Sequence, residues 1–249
     1  MKKILSTLII LFFVSSTAQV WCTEMSVSKN EPLTPKTWLQ NIKNHYENLE
    51  SFSIQINYEL FKGHQSDIVN SQYSASIFRN GKKSLQKIAD NEIFSDENNV
   101  VSINHREKAI VVTNPIAGGS VIPDVESTLN FCRDVQVKKS GDLVSLFLFI
   151  QPNTDLPFTK VDIVSDKNYN LHSITLYYAH QTNFSSSYFS PEYDYAKLKI
   201  SYTEMKTNWH DKEGILFSGK YITEENGKII PASEFSKYKL VDYRNPVNP

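Results

Sequence analysis

The residues that could do chemistry in this chain are six histidines, two cysteines and a few adjacent carboxylates. The histidines, at positions 45, 64, 105, 172, 180 and 210, form neither a His-Glu-x-x-His sequence nor a pair four residues apart, the spacings that place two zinc ligands on one helical face. No Gly-x-Ser-x-Gly sequence is present, and neither cysteine has a histidine nearby in sequence. We therefore predict a non-enzymatic protein with no catalytic residue, no metal and no cofactor.

The polar groups that come closest to a functional cluster are better explained as turns. His210-Asp211 and Glu213 could form a carboxylate–imidazole cluster, but they precede Gly214 in a polar stretch, which indicates a solvated turn. By the same reasoning Asp96-Glu97 and Glu224-Glu225 are charged turn residues. Any function must then come from the arrangement of the apolar side chains.

The first 18 residues have the pattern of a secretory signal peptide. A basic start precedes an apolar run from Ile4 to Val14, which is shorter than the ~20 residues that span a membrane. Small residues of the kind that a signal peptidase reads end at Ala18, so we predict cleavage there and a periplasmic or otherwise exported protein. An outer-membrane lipoprotein lipidated at Cys22 is less favoured, because Trp21 stands where that processing needs a small residue.

Composition and charge limit the classes of partner to be expected and indicate how the chain divides into an arm and a domain. The formal net charge is −1 and no basic patch is present, so neither nucleic acid nor an anionic lipid surface is an expected partner. Residues 19–35 are polar and aperiodic, which predicts a flexible arm before a single domain over residues 36–249. In an oxidising compartment, Cys22 and Cys132 could form a disulfide or stay as two separate thiols, and both alternatives remain open.

Hydrophobic periodicity predicts one clear helix and many strands. Trp38, Leu39, Ile42, Tyr46 and Leu49 recur at three- and four-residue spacing, which is typical of an amphipathic helix. A short second helix is predicted after a cap at Asp124, and Thr182 to Tyr195 is a long connection without an assigned role. The predicted strands are Phe52–Leu60, Tyr73–Ile77, Ser84–Ala89, Ile93–Ser95, Val100–Asn104, Ala109–Thr113, Leu143–Ile150, Val161–Ser165, Leu171–Ala179, Leu198–Met205, Ile215–Glu224 and Lys237–Asp242.

So many consecutive strands leave too few crossovers for a parallel α/β sheet. We therefore predict an α+β fold with mainly antiparallel strands. Two arrangements remain open from the pattern alone: a strongly curved sheet with helices on its concave side, or a sandwich.

Three features together carry a family resemblance: the export signal, the helix that ends in Tyr46-x-x-Leu49-x-Ser51-Phe52, and the meander from Phe94-Ser95-Asp96 through Ile103 to Ala109-Ile110-Val111-Val112. In this order they resemble the periplasmic lipoprotein carrier family LolA and its outer-membrane partner LolB. The resemblance implies a highly curved, unclosed β-barrel (a half-barrel) whose concave face is covered by helices and whose hydrophobic cavity takes acyl chains. It also places Arg79 where the family has a functional arginine, although Asn80-Gly81 replaces the proline that follows it there.

The leading hypothesis is an exported cell-envelope protein that binds a lipid, lipoprotein acyl chains or another hydrophobic ligand without catalysis. One alternative is a protein-interaction module of an envelope assembly in which the cavity is filled, and another is an enzyme that has recruited the cavity for a small substrate. The predicted ligand-binding residues are the strand residues Tyr58, Leu60, Ile77, Leu85, Ile93, Val101, Ile103 and Val111, the lid residues Trp38, Ile42 and Tyr46, and Arg79.

Overall fold

The computed structural model describes residues 34–115, 125–185, 189–226 and 228–244. It contains the helices α1 (Pro35–Asn48) and α2 (Val125–Asn130) and two 3-10 turns, Ser218–Lys220 and Ser233–Phe235. The strands are β1 (Ser51–Lys62), β2 (Val69–Asn80), β3 (Lys83–Ile88), β4 (Asn91–Ser95), β5 (Val100–Asn104), β6 (Ala109–Thr113), β7 (Cys132–Ser140), β8 (Leu143–Ile150), β9 (Phe158–Asp166), β10 (Leu171–Asn183), β11 (Tyr193–Thr207), β12 (Ile222–Glu225), β13 (Lys228–Pro231) and β14 (Lys239–Asp242).

Twelve of these strands form one sheet in the order β14-β6-β5-β4-β3-β2-β1-β11-β10-β9-β8-β7, and β12 pairs with β13 separately. The sheet ends at β14 and β7, so it does not close on itself. Most neighbours are antiparallel, and β14 joins β6 in parallel. The predicted fold class is therefore confirmed: α+β, with mainly antiparallel strands in one curved, unclosed sheet of the half-barrel type.

Helix α1 begins where the sequence provides a start signal. The hydroxyl of Thr34 accepts a hydrogen bond from the backbone N–H of Thr37 at 3.1 Å, and Pro35 occupies the first helical position, where its missing N–H costs nothing. Trp38, Leu39, Ile42 and Tyr46 are its buried residues, as their spacing predicts. Neither described helix is long and apolar enough to cross a bilayer.

The chain divides into two compact units that interleave along the sequence. Unit 1 takes its described residues from Met1–Asn48, Tyr58–Gln72 and Ala117–Ser201, and unit 2 takes them from Leu49–Asn57, Tyr73–Ile116 and Tyr202–Pro249. The single domain over residues 36–249 stays a prediction. The signal peptide at 1–18 and residues 19–33 of the predicted arm (19–35) lie outside the described residues, and Pro35 already belongs to helix α1.

The core of unit 1 is built by alternation along its strands. On β8, Val144, Leu146, Leu148 and Ile150 are buried, while the residues between them are partly exposed. On β11, Ala196, Leu198 and Ile200 are buried in the same way. Since alternate residues of a strand point to opposite faces, β8 and β11 each present a row of buried apolar side chains to one face of the sheet.

Unit 2 has a solid core made by two different parts of the chain. The sheet contributes Leu85, Phe94, Val101, Ile103, Ile110 and Val112, all at most 1% exposed. A segment that we call the C-terminal cover, defined by Leu216, Tyr221, Ile222, Ala232 and Phe235, packs on these residues in one hydrophobic cluster. The meander predicted over residues 93–113 is thus buried by residues more than a hundred positions later in the chain.

Three parts of the strand prediction were wrong, and one is that the strand β13 (Lys228–Pro231) was not predicted. Residues 215–217 are not in a strand, because both carboxylate oxygens of Asp211 accept backbone N–H bonds, from Ile215 at 2.8 Å and from Leu216 at 2.7 Å. These bonds hold a turn, as expected for the His210–Gly214 stretch, and the strand β12 begins only at Ile222. The edge strand β7 was missed because its mostly polar residues carry no strong alternation.

Candidate functional site

The predicted lid residues lie on the buried side of helix α1. The indole N–H of Trp38 donates to the hydroxyl of Ser165 at 2.9 Å, and the Trp38 ring lies 4.7 Å from the ring of Tyr169. The hydroxyl of Tyr46 accepts a hydrogen bond from the backbone N–H of Leu171 at 3.0 Å, and burial, despite that bond, raises the pKa of Tyr46 to about 12. The helix therefore covers the turn between β9 and β10 within unit 1.

The predicted strand residues of unit 2 do not share one face. Leu85, Val101 and Ile103 belong to the buried core under the C-terminal cover, and each is at most 1% exposed. Ile77, Ile93 and Val111 are instead linked through one cross-strand row, Ile77–Gln86–Ile93–Ser102–Val111, on the opposite face. A cavity on either face would meet three of these six side chains, so the structure does not bring this set together.

The remaining predicted residues are more scattered. Tyr58 is buried and Leu60 partly buried on β1, both in unit 1. Arg79 lies near the end of β2, where its Nε donates to the backbone oxygen of Gly81 at 3.3 Å. The Sγ of Cys132 donates to the Thr128 carbonyl at 3.4 Å, and the disulfide stays a prediction because Cys22 lies outside the described residues.

The helix side of β9 and β10 is only partly covered. Ser165 and Leu171, next to helix α1, are 0% and 8% exposed. Beyond a register shift, two residues along β9 and three along β10, Ile163 and Ile174 pair with one another. The pair Val161 and Leu176 follows, and all four residues are partly exposed. We call these four residues the apolar strip. Coverage by the helix thus ends at one end of the strip.

The apolar strip lies in the middle of a buried apolar surface. The neighbouring residues are Leu146 and Leu148 on β8 and Leu198 and Ile200 on β11. All four are at most 2% exposed. Partly exposed aliphatic side chains of the two central strands of this unit therefore lie between rows that are fully buried. From Ile163 to Phe158 the strand runs about 16 Å at the usual rise of about 3.3 Å per residue.

Two aromatic residues pair with one another beyond Val161 and Leu176, after a register shift between β9 and β10. The ring of Phe158 is 5.1 Å from that of Tyr178, in an edge-to-face arrangement. The hydroxyl of Tyr178 is buried, and it has no hydrogen-bond partner among the described residues. Burial raises the pKa of Tyr178 to about 12, so the hydroxyl stays protonated at neutral pH.

The opposite face of β8, β9 and β10 has a different chemistry. The Lys160 ammonium lies 5.0 Å from the ring centre of Phe147, 4.8 Å from that of Tyr177, and 2.9 Å from both carboxylate oxygens of Asp162. The Tyr177 hydroxyl donates to Asp162 at 3.0 Å, and burial together with this bond raises the pKa of Tyr177 to about 12. Because every charge here already has a partner, this face is a structural ion-pair cluster.

The arrangement of unit 1 is suited to binding an apolar chain. The apolar strip offers partly exposed aliphatic side chains, and the rows on both sides of it are buried. Within the described residues there is no group of three or more metal-ligand side chains. Sequence reasoning missed the strip, although the alternation within 161–165 and 171–179 was visible, because alternation alone does not tell a covered face from an open one.

Comparisons with known proteins return similarity only among solved structures: no family model and no curated protein matches the chain. An uncharacterized conserved protein from Thermus thermophilus is 6% identical, covering 83% of this chain and 98% of that one, with a TM-score of 0.43. A LolA superfamily protein from Nitrosomonas europaea is 12% identical, covering 75% and 99%, with a TM-score of 0.32. The lipoprotein LppX from Mycobacterium tuberculosis is 8% identical, covering 71% and 99%, with a TM-score of 0.32. One of these similar structures is thus described as a LolA superfamily protein, the family that the sequence resembles.

Proposed function

We propose that this chain is an exported, non-catalytic protein of the cell envelope that binds a lipid or an acyl chain along the apolar strip of unit 1. The observation that carries the proposal is the partial exposure of Val161, Ile163, Ile174 and Leu176 between rows that are fully buried. Apolar side chains in the centre of a sheet are normally covered, and an open apolar groove is the usual form of a hydrophobic binding site.

The energetics suit such a ligand. Each methylene that leaves water contributes about 0.8 kcal/mol, so a ten-carbon stretch contributes ~8 kcal/mol before the costs of association. Those costs remove a large part of this gain, so we expect binding that is measurable at micromolar ligand. No catalytic group is needed for this task.

The test compares a residue of the apolar strip with a residue outside it. Leu176→Gln puts an amide into the groove, and we expect it to weaken the binding of the fluorescent fatty acid cis-parinaric acid at least tenfold. Ile88→Gln is the matched control, because Ile88 is also a partly exposed strand aliphatic but lies in unit 2 and is not among the predicted ligand-binding residues. Equal binding by Leu176→Gln and wild type, in folded protein, would overturn the placement of the site.

Export is tested separately. If residues 1–18 are a signal peptide, protein recovered from the periplasm begins at Gln19, and the mass of the mature chain shows it. An additional mass on a chain that begins at Cys22 would support the lipoprotein alternative. Full-length protein confined to the cytoplasm would argue against both.

A second candidate function is favoured by the packing of unit 2. There the C-terminal cover occupies the sheet face that holds Leu85, Val101 and Ile103, so no acyl chain has room on that face. A protein-interaction module of an envelope assembly would have such filled packing throughout. Mass spectrometry under non-denaturing conditions separates the two functions: co-purifying lipid supports the carrier, and lipid-free protein that also takes up no probe supports the interaction module.

A further inference from the structure

Strand β7 is a free edge of the large sheet. It pairs with β8 on one side, and no strand of the described chain pairs with it on the other. From Asp134 to Ser140 the register with β8 is regular, so alternate backbone N–H and C=O groups of this stretch point away from the sheet. Such a row of backbone groups is a template for another strand.

The opposite edge of the sheet is protected in a way that β7 is not. β14 is only four residues long, and very short edge strands are a common means of preventing pairing between copies. β7 has nine residues and contains no proline. Whether another strand pairs with β7 therefore depends on its side chains.

The polar side chains of β7 have a self-complementary order. Asp134, Gln136 and Lys138 are exposed and lie on one face, where Nε2 of Gln136 donates to Asp134 at 2.9 Å. Neither Asp134 nor Lys138 has an ion pair with a described residue. When a second β7 lies antiparallel with its Gln136 opposite the first Gln136, each Asp134 stands opposite the Lys138 of the other copy. Opposite charges directly across two strands stabilise their pairing.

The other face of β7 fits the same register. Val135 of each copy then lies opposite Val137 of the other, and both valines are only partly buried in the single chain. Pairs of β-branched residues across two strands add further stability. A shift by one residue in either direction would place every one of these valines opposite a polar residue, so both faces specify the same register.

Two further cations limit the length of the pairing. Arg133 lies at the register shift between Cys132 and Asp134, where regular pairing ends, and Lys139 follows Lys138. In the same register these two cations approach one another at each end of the paired stretch. Both are exposed, so their charges stay in water. The paired stretch is therefore the five residues from Asp134 to Lys138.

We propose that β7 pairs with β7 of a second copy of this chain, antiparallel and with the two Gln136 side chains opposite one another. The product is a symmetric dimer in which each contact occurs twice. One short strand pair buries less than the ~1,200–2,000 Å² of stable complexes, so we expect a weak dimer with a Kd of ~10–100 µM. The inference does not depend on a ligand of unit 1.

Charge reversal tests the register, with sedimentation equilibrium of the mature chain as the measurement of the dimer Kd. Lys138→Asp turns both attractive pairs into repulsive ones, and we expect it to raise the Kd about tenfold or more. Adding Asp134→Lys restores opposite charges and should return the Kd to within about threefold of wild type. Lys139→Asp is the matched control: it makes the same charge change on the same strand, outside the paired stretch, and should not raise the Kd.

Cross-linking tests the geometry without relying on charge. In a chain that carries Cys22→Ser and Cys132→Ser, Gln136→Cys places two thiols directly opposite one another, at a separation that a disulfide bridges. Lys138→Cys is the control, because its two thiols would lie four residues apart along the strands, about 13 Å. We expect mild oxidation to link the first variant and not the second.

Two results would overturn the proposal. Wild type that stays monomeric at ~1 mM, about ten times the highest expected Kd, excludes the dimer. A dimer that Lys138→Asp leaves intact, or that Lys138→Cys links instead of Gln136→Cys, excludes the register. Binding of cis-parinaric acid should be the same in Lys138→Asp and wild type, since β7 lies outside the apolar strip, so the proposed function is judged separately.

Discussion

The hydroxyl of Tyr221 lies 2.6 Å from a carboxylate oxygen of Glu92. Tyr221 belongs to the C-terminal cover and Glu92 to β4, so this bond fastens the cover to the sheet of unit 2. The other oxygen of Glu92 lies 3.1 Å from Nε2 of His105, whose Nδ1 is 3.0 Å from the Tyr238 hydroxyl. A polar network therefore borders the apolar core, and it includes Tyr221 of the cover and Tyr238, three residues beyond the last residue of the cover.

Removing the Tyr221 hydroxyl should weaken this attachment in a way that depends on pH. Burial alone would raise the pKa of Glu92, but the hydrogen bond from Tyr221 and the charges of Lys87 and Lys220 outweigh it, so the pKa lies below its usual value. A lowered pKa means that the carboxylate stabilises the fold above its unfolded-state pKa, and that this contribution is lost as pH falls through the folded value. We expect Tyr221→Phe to cost about 1.5–3 kcal/mol at pH 7 and clearly less at pH 3.

Urea unfolding of wild type and Tyr221→Phe at the two pH values measures this difference. Tyr243→Phe is the control, because Tyr243 is 62% exposed and its loss should cost under about 0.5 kcal/mol at either pH. An equal penalty for Tyr221→Phe at pH 7 and pH 3 would show that the charge of Glu92 plays no part.

Removing only one partner of the hydrogen bond between Trp38 and Ser165 should cost more unfolding free energy than the bond itself contributes, because the other partner stays buried without a bond. Trp38→Phe keeps most of the ring but leaves the Ser165 hydroxyl, which is 0% exposed, without its donor. We expect this variant to cost about 1–3 kcal/mol in unfolding free energy. Adding Ser165→Ala should recover part of the loss. Strictly additive effects in the double variant would contradict the hydrogen bond.

The pair Lys160 and Asp162 should show strong coupling in a double-mutant cycle. Lys160→Met keeps the aliphatic stem between the rings of Phe147 and Tyr177 but leaves the Asp162 carboxylate, which is 16% exposed, with the Tyr177 hydroxyl alone. Asp162→Asn leaves the ammonium without its counter-charge. Thermal or urea unfolding of the four proteins should give a coupling energy of about 0.5–3 kcal/mol. A value near zero would mean that the rings alone hold the lysine.

The two faces of the unit 2 sheet should respond differently to the same truncation. Ile103 is 1% exposed in the core, so Ile103→Ala should cost about 2–5 kcal/mol. Ile93 is partly exposed on the other face, so Ile93→Ala should cost about 1 kcal/mol. Denaturant midpoints of the two variants measure this contrast, and equal costs would disprove the register that separates them.

Local patterns were enough to predict most of the elements. The strands at 100–104, 109–113 and 143–150 occur at the predicted bounds, because short runs of β-branched residues between polar turns have few alternatives. Helix α1 was equally clear from its apolar stripe. The prediction failed around residues 215–217, where the Asp211 carboxylate binds the backbone and prevents a strand, a contact that an alternating pattern does not reveal.

The candidate site was much less predictable. Residues Leu85, Val101 and Ile103 look the same in sequence as Val161, Ile163 and Leu176, since all are aliphatic positions in short strands. What separates them is whether something else packs on them. The C-terminal cover packs on the first three residues. The part of the sheet that helix α1 covers ends before it reaches the other three, which stay partly exposed.

The sequence by itself determined the class of the fold and the kinds of elements, because the period of apolar residues and the turn residues act over a few neighbours. Only the tertiary structure decided which apolar face is filled and which is open. That depends on contacts such as those of Tyr221 and Phe235 with strands more than a hundred residues earlier, and burial is a property of the packed chain rather than of any segment within it.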